Sequence, residues 1–246
     1  VRSEAGGSLM GGQYIEPVSL ASLLGSLPGQ CSICRDWGRG ALCDACRQRF
    51  AAPRPRCERC AIAVPPGQPV CGECLREPPP FERTIAALDY GAPWSALIAR
   101  FKFQGGVELA PVLSGLLREA VRGQPPPELL LPAPLSDARL RERGFNQSWE
   151  IARRLGPPAD ARLLLRIRDT PHQVDLPLDR RASNVHSAFA VEPLRRAEIA
   201  GRSVVLVDDV MTTGATAAEM ARTLLQAGAS SVRLWVLART PRPDGA

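Results

Sequence analysis

The sequence predicts an α/β fold in which helices cover a parallel sheet, preceded by a small module held together by metal ions. The first observation is that apolar, strand-like segments alternate with helical segments along the second half of the chain, which is typical of parallel sheets. The second is that all eight cysteines lie between residues 31 and 74. This break in composition separates an N-terminal module from a larger domain.

Length and composition indicate an ordinary globular protein with a weak preference for anions. The 246 residues suffice for one large or two modest domains, and 45% of them are hydrophobic. The net charge of +6 favours phosphates, nucleotides or nucleic acid as partners. No apolar run reaches the roughly 18–20 residues of a membrane span, and no basic segment precedes the apolar stretch near the N-terminus. We therefore expect a cytoplasmic protein without a membrane span.

Composition also predicts the boundaries of the domains. We expect an N-terminal extension over residues 1–28, a cysteine-rich module over 29–76 and the larger domain over 82–242. The stretch REPPPFER, with its three consecutive prolines, is predicted to link the module to the larger domain.

Four C-x-x-C pairs characterise the module. Two such pairs supply four thiolates, the closed tetrahedral set of a structural zinc site. We expect about two zinc ions per chain, and an iron–sulfur cluster is the alternative. Disulfides are not expected, because a reducing cytosol disfavours them. Pairing of consecutive knuckles resembles a double zinc ribbon, although the spacing leaves an interleaved arrangement open. The predicted ligands are Cys31, Cys34, Cys43, Cys46, Cys57, Cys60, Cys71 and Cys74.

The elements of the larger domain follow from hydrophobic periodicity. TIAALDY (84–90) is predicted to be a strand, and PWSALIARFKF and VELAPVLSGLLREAV to be helices. From residue 129 we expect the strand LLLPAPL, the helix FNQSWEIARRLG ending at Gly156, and the strand ARLLLRI. A long polar loop over 168–187 precedes the strand AFAV, and loops of this length are usually functional or disordered.

The stretch VVLVDDVMTTGAT (204–216) carries the strongest functional signal. SVVLVDD is predicted to be a buried strand, and an amphipathic helix and the strand VRLWVLA follow it. Thr216 and Glu219 match a capping box that starts the helix at Thr216, and Gly228 is expected to end it. The stretch therefore lies between the carboxyl end of a parallel strand and a helix, where α/β sheets bind ligands.

The residue types in this turn suit a sugar that carries a phosphate. The N–H groups of a helix start, together with nearby hydroxyls, form a cradle for phosphate. The hydroxyls expected here are those of Thr212, Thr213 and Thr216. Gly214 lets the backbone approach the anion because it has no Cβ atom. The carboxylates of Asp208 and Asp209 would repel phosphate, so we expect them to accept hydrogen bonds from vicinal hydroxyls.

This turn resembles the ribose-phosphate-binding motif of the type I phosphoribosyltransferases. With the cysteine-rich module, four further stretches resemble the ComF family of competence-associated phosphoribosyltransferase-like proteins. They are LRERGFNQ (140–147), RDTPHQ (168–173), RRASNVHSAF (180–189) and the closing LARTPR. The resemblance covers roughly residues 31–242 and departs in the long loop, where DLPLD and His186 replace the family's more usual residues.

The resemblance implies a type I phosphoribosyltransferase-like sheet that binds phosphoribosyl pyrophosphate together with Mg²⁺. It also implies a pyrophosphate loop around Ser136, Asp137 and Arg139 and a mobile lid at 168–187. The implied reaction displaces pyrophosphate from C1 of the sugar through an oxocarbenium-like transition state. The sequence does not identify a residue that could act as the base that activates an acceptor. It therefore predicts neither whether the protein is catalytically active nor which acceptor it uses.

The resemblance further implies a role in DNA uptake during natural transformation, with single-stranded DNA and DNA-uptake proteins as partners. The basic stretch 47–59 agrees with such a role, although an arginine-rich surface is the commoner explanation of it. One alternative is a salvage phosphoribosyltransferase that acts on a free nucleobase. The other is a non-catalytic protein that handles single-stranded DNA and has kept a ribose-phosphate pocket.

Overall fold

The computed structural model describes residues 28–168 and 188–242. The chain divides into two compact units, residues 1–43 and 44–246, and each is taken by itself below. The predicted extension before residue 28 and the predicted lid after residue 168 lie outside the described residues. Within the described part of the chain, no helix is both long enough and apolar enough to cross a membrane.

The described part of the first unit is a small antiparallel hairpin. Strands β1 (Pro28–Gln30) and β2 (Trp37–Arg39) pair with Gln30 opposite Trp37. Between them the chain turns tightly, because the Arg35 N–H donates to the Cys31 carbonyl at 3.0 Å and Arg35 itself has a positive φ of 68°. This turn is the knuckle of the first C-x-x-C pair.

The second unit carries the remaining helices and strands. Its helices are α1 (Asp44–Phe50), α2 (Gly72–Arg76), α3 (Trp94–Phe103), α4 (Ala110–Ala120), α5 (Asp137–Arg143), α6 (Gln147–Ala152) and α7 (Ala215–Gln226). Its strands are β3 (Arg83–Asp89), β4 (Leu129–Pro132), β5 (Leu164–Arg166), β6 (Phe189–Val191), β7 (Ser203–Met211) and β8 (Ser231–Arg239). Short 3₁₀ turns cover Val107–Leu109 and Pro193–Glu198.

A four-stranded parallel sheet forms the centre of this unit and confirms the predicted α/β fold. The strand order is β3-β8-β7-β4, and every pairing is parallel. Strand β7 is interior, and its residues Val204–Val207 are at most 1% exposed, as expected for a strand covered on both faces. Helix α6 packs against β7, and α7 packs against β8. The carboxyl ends of all four strands therefore meet at one edge.

Three sequence predictions about the elements need correction. Strands β5 and β6 form a separate antiparallel pair instead of joining the parallel sheet. Helix α6 ends at Ala152 rather than Gly156, because the N–H groups of Arg154 and Leu155 donate to carbonyls only three residues back, at 3.0 and 3.1 Å. The segment after β4 contains an unexpected short helix, α5, within the predicted pyrophosphate loop.

The second group of cysteines belongs to the same hydrophobic core as the sheet. Cys57, Cys60, Cys71 and Cys74 are all buried, and they cluster with Phe81 and Met211 among other core residues. The Thr84 N–H at the start of β3 also donates to the Glu58 carbonyl at 3.0 Å. Packing and backbone hydrogen bonding thus join this cysteine knuckle to the edge of the sheet.

Candidate functional site

A cavity of about 290 Å³ opens at the carboxyl edge of the parallel sheet. Residues from four helices, two strands and the loops between them line it. They are Tyr90, Lys102, Phe103, Ala133, Pro134, Leu135, Arg139, Arg143, Ser148, Arg166, Asp208, Asp209, Val210, Thr212 and Thr216. The cavity lies where a parallel α/β sheet is expected to bind its ligand.

Strand β7 extends through both aspartates to Met211 instead of ending at them. The acidic pair is therefore held in extended backbone, and only residues 212–214 form the turn. Asp209 is 7% exposed and forms an ion pair with Lys102, whose Nζ lies 2.8 Å from Oδ1. Lys102 comes from the last turn of α3, so a distant helix supplies the charge that balances Asp209.

Asp208 lies in a different environment from its neighbour. The Ser148 hydroxyl donates to Asp208 Oδ1 at 3.1 Å, and the Asp209 N–H donates to the same atom at 2.8 Å. Burial, reinforced by the negative charge of Asp209, raises the pKa of Asp208 to about 7, although Lys102 opposes the shift. This carboxyl can therefore change its charge near neutral pH.

The turn that follows the strand depends on Gly214, which is the N-cap of α7 with a φ of 87°. A Cβ atom at this position would lie 2.7 Å from Cε of Met211, and the positive φ itself disfavours other residues. The predicted start at Thr216 is wrong, because the helix begins at Ala215 and its N-cap residue is Gly214, which has no side chain to cap it. Glu219 instead pairs with Arg222 at 3.2 Å.

The end of α7 agrees with the prediction for Gly228. This residue has a φ of 103°, and its N–H donates to the Leu225 carbonyl at 3.0 Å. The Ala229 N–H donates to the Leu224 carbonyl at 3.0 Å. The two bonds form a Schellman motif that terminates the helix.

The structure brings some of the predicted site residues together and leaves others outside the cavity. Five of them line it: Asp208, Asp209, Thr212, Thr216 and Arg139. The remaining four do not appear in its wall: Thr213, Gly214, Ser136 and Asp137. Thr213 Oγ1 accepts the Ala215 N–H at 3.3 Å, and Ser136 is the N-cap of α5, accepting the Arg139 N–H at 3.5 Å. Both hydroxyls thus have local structural partners.

Sequence reasoning missed several residues of the cavity wall, above all Lys102 and Arg143. The guanidinium of Arg143 lies 4.9 Å from the ring centroid of Phe103, another wall residue. Lys102 could have been suspected, because it is the only lysine in the chain. Ser148 and Arg166 have no comparable signal, since only the folding of α6 and β5 brings them to β7.

The charges of the wall suit a ligand with several phosphate groups and several hydroxyls. Four cations line the cavity, namely Lys102, Arg139, Arg143 and Arg166. They outnumber the carboxylates of Asp208 and Asp209, so the cavity attracts anions. The two carboxylates remain available as acceptors for hydroxyl groups.

The cysteines form two groups built from consecutive C-x-x-C pairs, which excludes the interleaved arrangement. The second group is Cys57, Cys60, Cys71 and Cys74, whose sulfur atoms lie within 4.8 Å of one another, and the first group consists of the other four, Cys31, Cys34, Cys43 and Cys46. The Cys60 and Cys71 sulfurs are 3.7 Å apart, close to the edge of about 3.8 Å in a tetrahedron with Zn–S bonds of about 2.3 Å. Both groups fit a double zinc ribbon.

The pKa values of two thiols in the second group are shifted in opposite directions. Burial raises the pKa of Cys57, but N–H groups that include those of Cys60 and Cys71 bring it down to about 7. Burial, hydrogen bonds and the neighbouring sulfurs raise the pKa of Cys74. A metal ion would relieve this mutual repulsion, because it binds all four thiols as thiolates. All eight cysteines are free of disulfides.

Comparison with known proteins identifies one matching domain family and several similar proteins of related names. The family model for the phosphoribosyl transferase domain matches residues 105–245. A DNA utilization protein, YhgH, of Salmonella typhi is 36% identical over 87% of this chain and 99% of its own length. Competence protein F of Haemophilus influenzae is 32% identical over 82% of this chain and 91% of its own length.

More distant proteins also match. Competence protein ComFC of Bacillus subtilis is 28% identical over 70% of this chain and 72% of its own length. Among solved structures, the allosteric regulatory enzyme of purine biosynthesis matches with a TM-score of 0.36 and 17% identity, over 53% of this chain and 26% of that one.

Proposed function

The chain belongs to the ComF family of phosphoribosyltransferase-domain proteins, and on this premise we propose that it binds phosphoribosyl pyrophosphate with Mg²⁺ in the cavity at the end of β7. One observation carries the proposal: the cavity combines two adjacent carboxylates, threonine hydroxyls and four cationic side chains. A ribose with a phosphate and a pyrophosphate presents the complementary groups, namely vicinal hydroxyls between two anionic ends.

The proposed roles follow the chemistry of each side chain. Asp208 and Asp209 accept hydrogen bonds from the ribose hydroxyls, and residues 212–216 hold the 5′-phosphate. The pyrophosphate lies towards Lys102 and Arg139, beside Ser136 and Asp137 at the start of α5. Mg²⁺ is held mainly by oxygens of the ligand and by water, because this ion keeps several waters and binds phosphates readily.

Any catalysis in this cavity rests on positioning and on charge. The arginines and Lys102 would stabilise the pyrophosphate as it leaves C1, since preorganised cations act strongly in a partly dry site. The carboxylates would hold the ribose in one orientation while its ring becomes positively charged. These residues account for departure of the leaving group and assign no acceptor.

Calorimetric titration with phosphoribosyl pyrophosphate and Mg²⁺ tests the site directly. Asp208→Asn and Asp209→Asn keep the shape of the side chain but remove charge-assisted bonds worth roughly 1.5–3 kcal/mol each. At least one variant should therefore bind about tenfold to a hundredfold more weakly than the unmodified chain. The exposed Glu77 supplies a control, because Glu77→Gln changes charge equally, away from the cavity. Equal binding by both aspartate variants and the control would place the pocket elsewhere.

Release of pyrophosphate decides between an enzyme and a binding protein. The assay offers the chain phosphoribosyl pyrophosphate with nucleobases, with nucleotides or with single-stranded DNA. Turnover with one free base identifies a salvage transferase. Binding of phosphoribosyl pyrophosphate without release under any condition identifies a protein that uses it only as a ligand.

We further propose that the chain acts in the cytoplasm in the handling of incoming DNA. The names of its relatives, DNA utilization protein YhgH and competence proteins F and ComFC, support this role. Expression of the chain in Haemophilus influenzae lacking competence protein F should restore transformation, whereas Asp208→Asn/Asp209→Asn expressed at the same level should not. Failure of the unmodified chain, despite normal expression, would contradict the role.

A further inference from the structure

Arg239, the last residue of β8, is a charged side chain inside the core. It is only 7% exposed. Four backbone carbonyls accept hydrogen bonds from its guanidinium. Nε donates to Cys60 at 2.8 Å, and Nη1 donates to Met211 at 3.2 Å, to Thr240 at 2.9 Å and to Thr212. A buried guanidinium is costly unless its donors are satisfied and its charge is balanced.

The carbonyls that Arg239 holds belong to two different sites. Met211 ends β7, and Thr212, which lines the cavity, begins the turn that we propose as the phosphate cradle. Cys60 belongs to the second cysteine group. One side chain thus connects the backbone of the phosphate turn with the backbone of the metal knuckle, two segments far apart in the sequence.

The charge of Arg239 also has its natural counterpart at the second cysteine group. Its Nε lies 2.8 Å from the carbonyl oxygen of Cys60, so the guanidinium lies beside one of the predicted metal ligands. Four thiolates around a divalent ion carry a net charge of about −2. A loaded metal site would therefore supply negative charge close to the guanidinium, which the neutral carbonyls do not supply.

We propose that Arg239 is a positioning residue through which the metal site of Cys57, Cys60, Cys71 and Cys74 orders the phosphate turn, residues 212–216. The loaded site holds the Cys60 carbonyl and the guanidinium in place, and the guanidinium in turn holds the carbonyls of Met211 and Thr212. Loss of the metal would then loosen the turn without any direct contact between metal and ligand. The effect on ligand binding rests on the proposed function, whereas the effect on the turn does not.

Arg239→Lys in the full chain tests this link, because it keeps the positive charge but cannot reproduce a planar set of donors. We expect the variant to retain its zinc, to bind phosphoribosyl pyrophosphate with Mg²⁺ about tenfold more weakly, and to exchange the amides of 212–216 faster than the unmodified chain. Arg233→Lys is the matched control, since Arg233 lies on the same strand, is outside the core and donates to the Pro125 carbonyl at 3.2 Å.

Amide exchange separates this proposal from the proposed function. If the unmodified chain binds no phosphoribosyl pyrophosphate, the proposed function fails, but faster exchange of 212–216 in Arg239→Lys still supports the link. Unchanged exchange of these amides in Arg239→Lys overturns the link, whatever the affinity.

A second measurement covers the case in which Arg239→Lys does not fold. A chelator is titrated into a Cys34→Ser chain, in which the first cysteine group is already broken. Exchange at 212–216 should rise with loss of zinc while the amides of α4 stay protected. A parallel rise in both segments would indicate general unfolding and would overturn the link.

Discussion

Asp208 illustrates how the setting of a single residue changes its chemistry. The pKa of this carboxyl is raised to about 7 from its usual 3.8 by burial and by the charge of Asp209. Between these two values the folded chain keeps a proton that the unfolded chain has lost. The free energy of unfolding therefore falls as the pH rises from about 4 to about 7, and this loss persists above pH 7.

Replacement of Asp208 by asparagine should abolish this pH-dependent fall in the free energy of unfolding. The amide oxygen of the new side chain can still accept hydrogen bonds from the Ser148 hydroxyl and the Asp209 N–H, but the side chain carries no charge to desolvate. We expect the stability of Asp208→Asn, relative to the unmodified chain, to increase between pH 5 and pH 8. Denaturant unfolding at the two pH values measures the difference.

Asp160 provides the control for this prediction. Although burial acts in the opposite sense, hydrogen bonds from Arg195 and from the Arg162 N–H lower the pKa of Asp160. Asp160 is therefore ionised from pH 5 to pH 8. Replacing it with asparagine should lower the free energy of unfolding by the same amount at both pH values. A pH-independent difference for Asp208→Asn as well would contradict the raised pKa.

At the level of elements, the two cysteine groups should contribute differently to stability. The second group is buried in the core beside Phe81 and Met211, whereas Cys34 of the first group is exposed. Cys57→Ser should lower the melting temperature of the unit of residues 44–246 by roughly 10 °C, because a core metal ligand is lost. Cys34→Ser should unfold the N-terminal hairpin and leave that melting temperature nearly unchanged.

Circular dichroism at a helical wavelength follows the second unit in this experiment, since every described helix lies after residue 43. Equal losses of melting temperature in the two serine variants would mean that both groups support the sheet to the same degree. No loss in either variant would mean that metal binding contributes nothing to the folding of this unit.

For the whole molecule, we expect about two zinc ions per chain, one in each cysteine group. The sulfur atoms of Cys34 and Cys43, and those of Cys60 and Cys71, lie 3.7 Å apart, and these distances support four-thiolate coordination. Elemental analysis of protein purified without added metal measures the content, which should fall to about one in Cys34→Ser. Iron in place of zinc, or oxidised cysteines without metal, would contradict the prediction.

The sequence by itself determined the features that arise from local patterns. Alternating apolar segments predicted the parallel α/β sheet, and C-x-x-C spacing predicted two four-thiolate groups. The succession of strand, acid pair and T-T-G turn predicted the candidate site, because the carboxyl end of a strand next to a helix start is readable within 204–216. These features can be predicted from hydrophobic periodicity and from the spacing of residues that are close together in the sequence.

Tertiary structure alone decided which distant residues meet. It paired Lys102 with Asp209, excluded the interleaved arrangement of the cysteines and separated β5 and β6 from the parallel sheet. It also brought Arg239 to the Cys60 carbonyl, across 179 residues of chain. The physical reason is that a buried charge takes whatever acceptor or counterion the packed core brings near it, and no local pattern in the sequence records that choice.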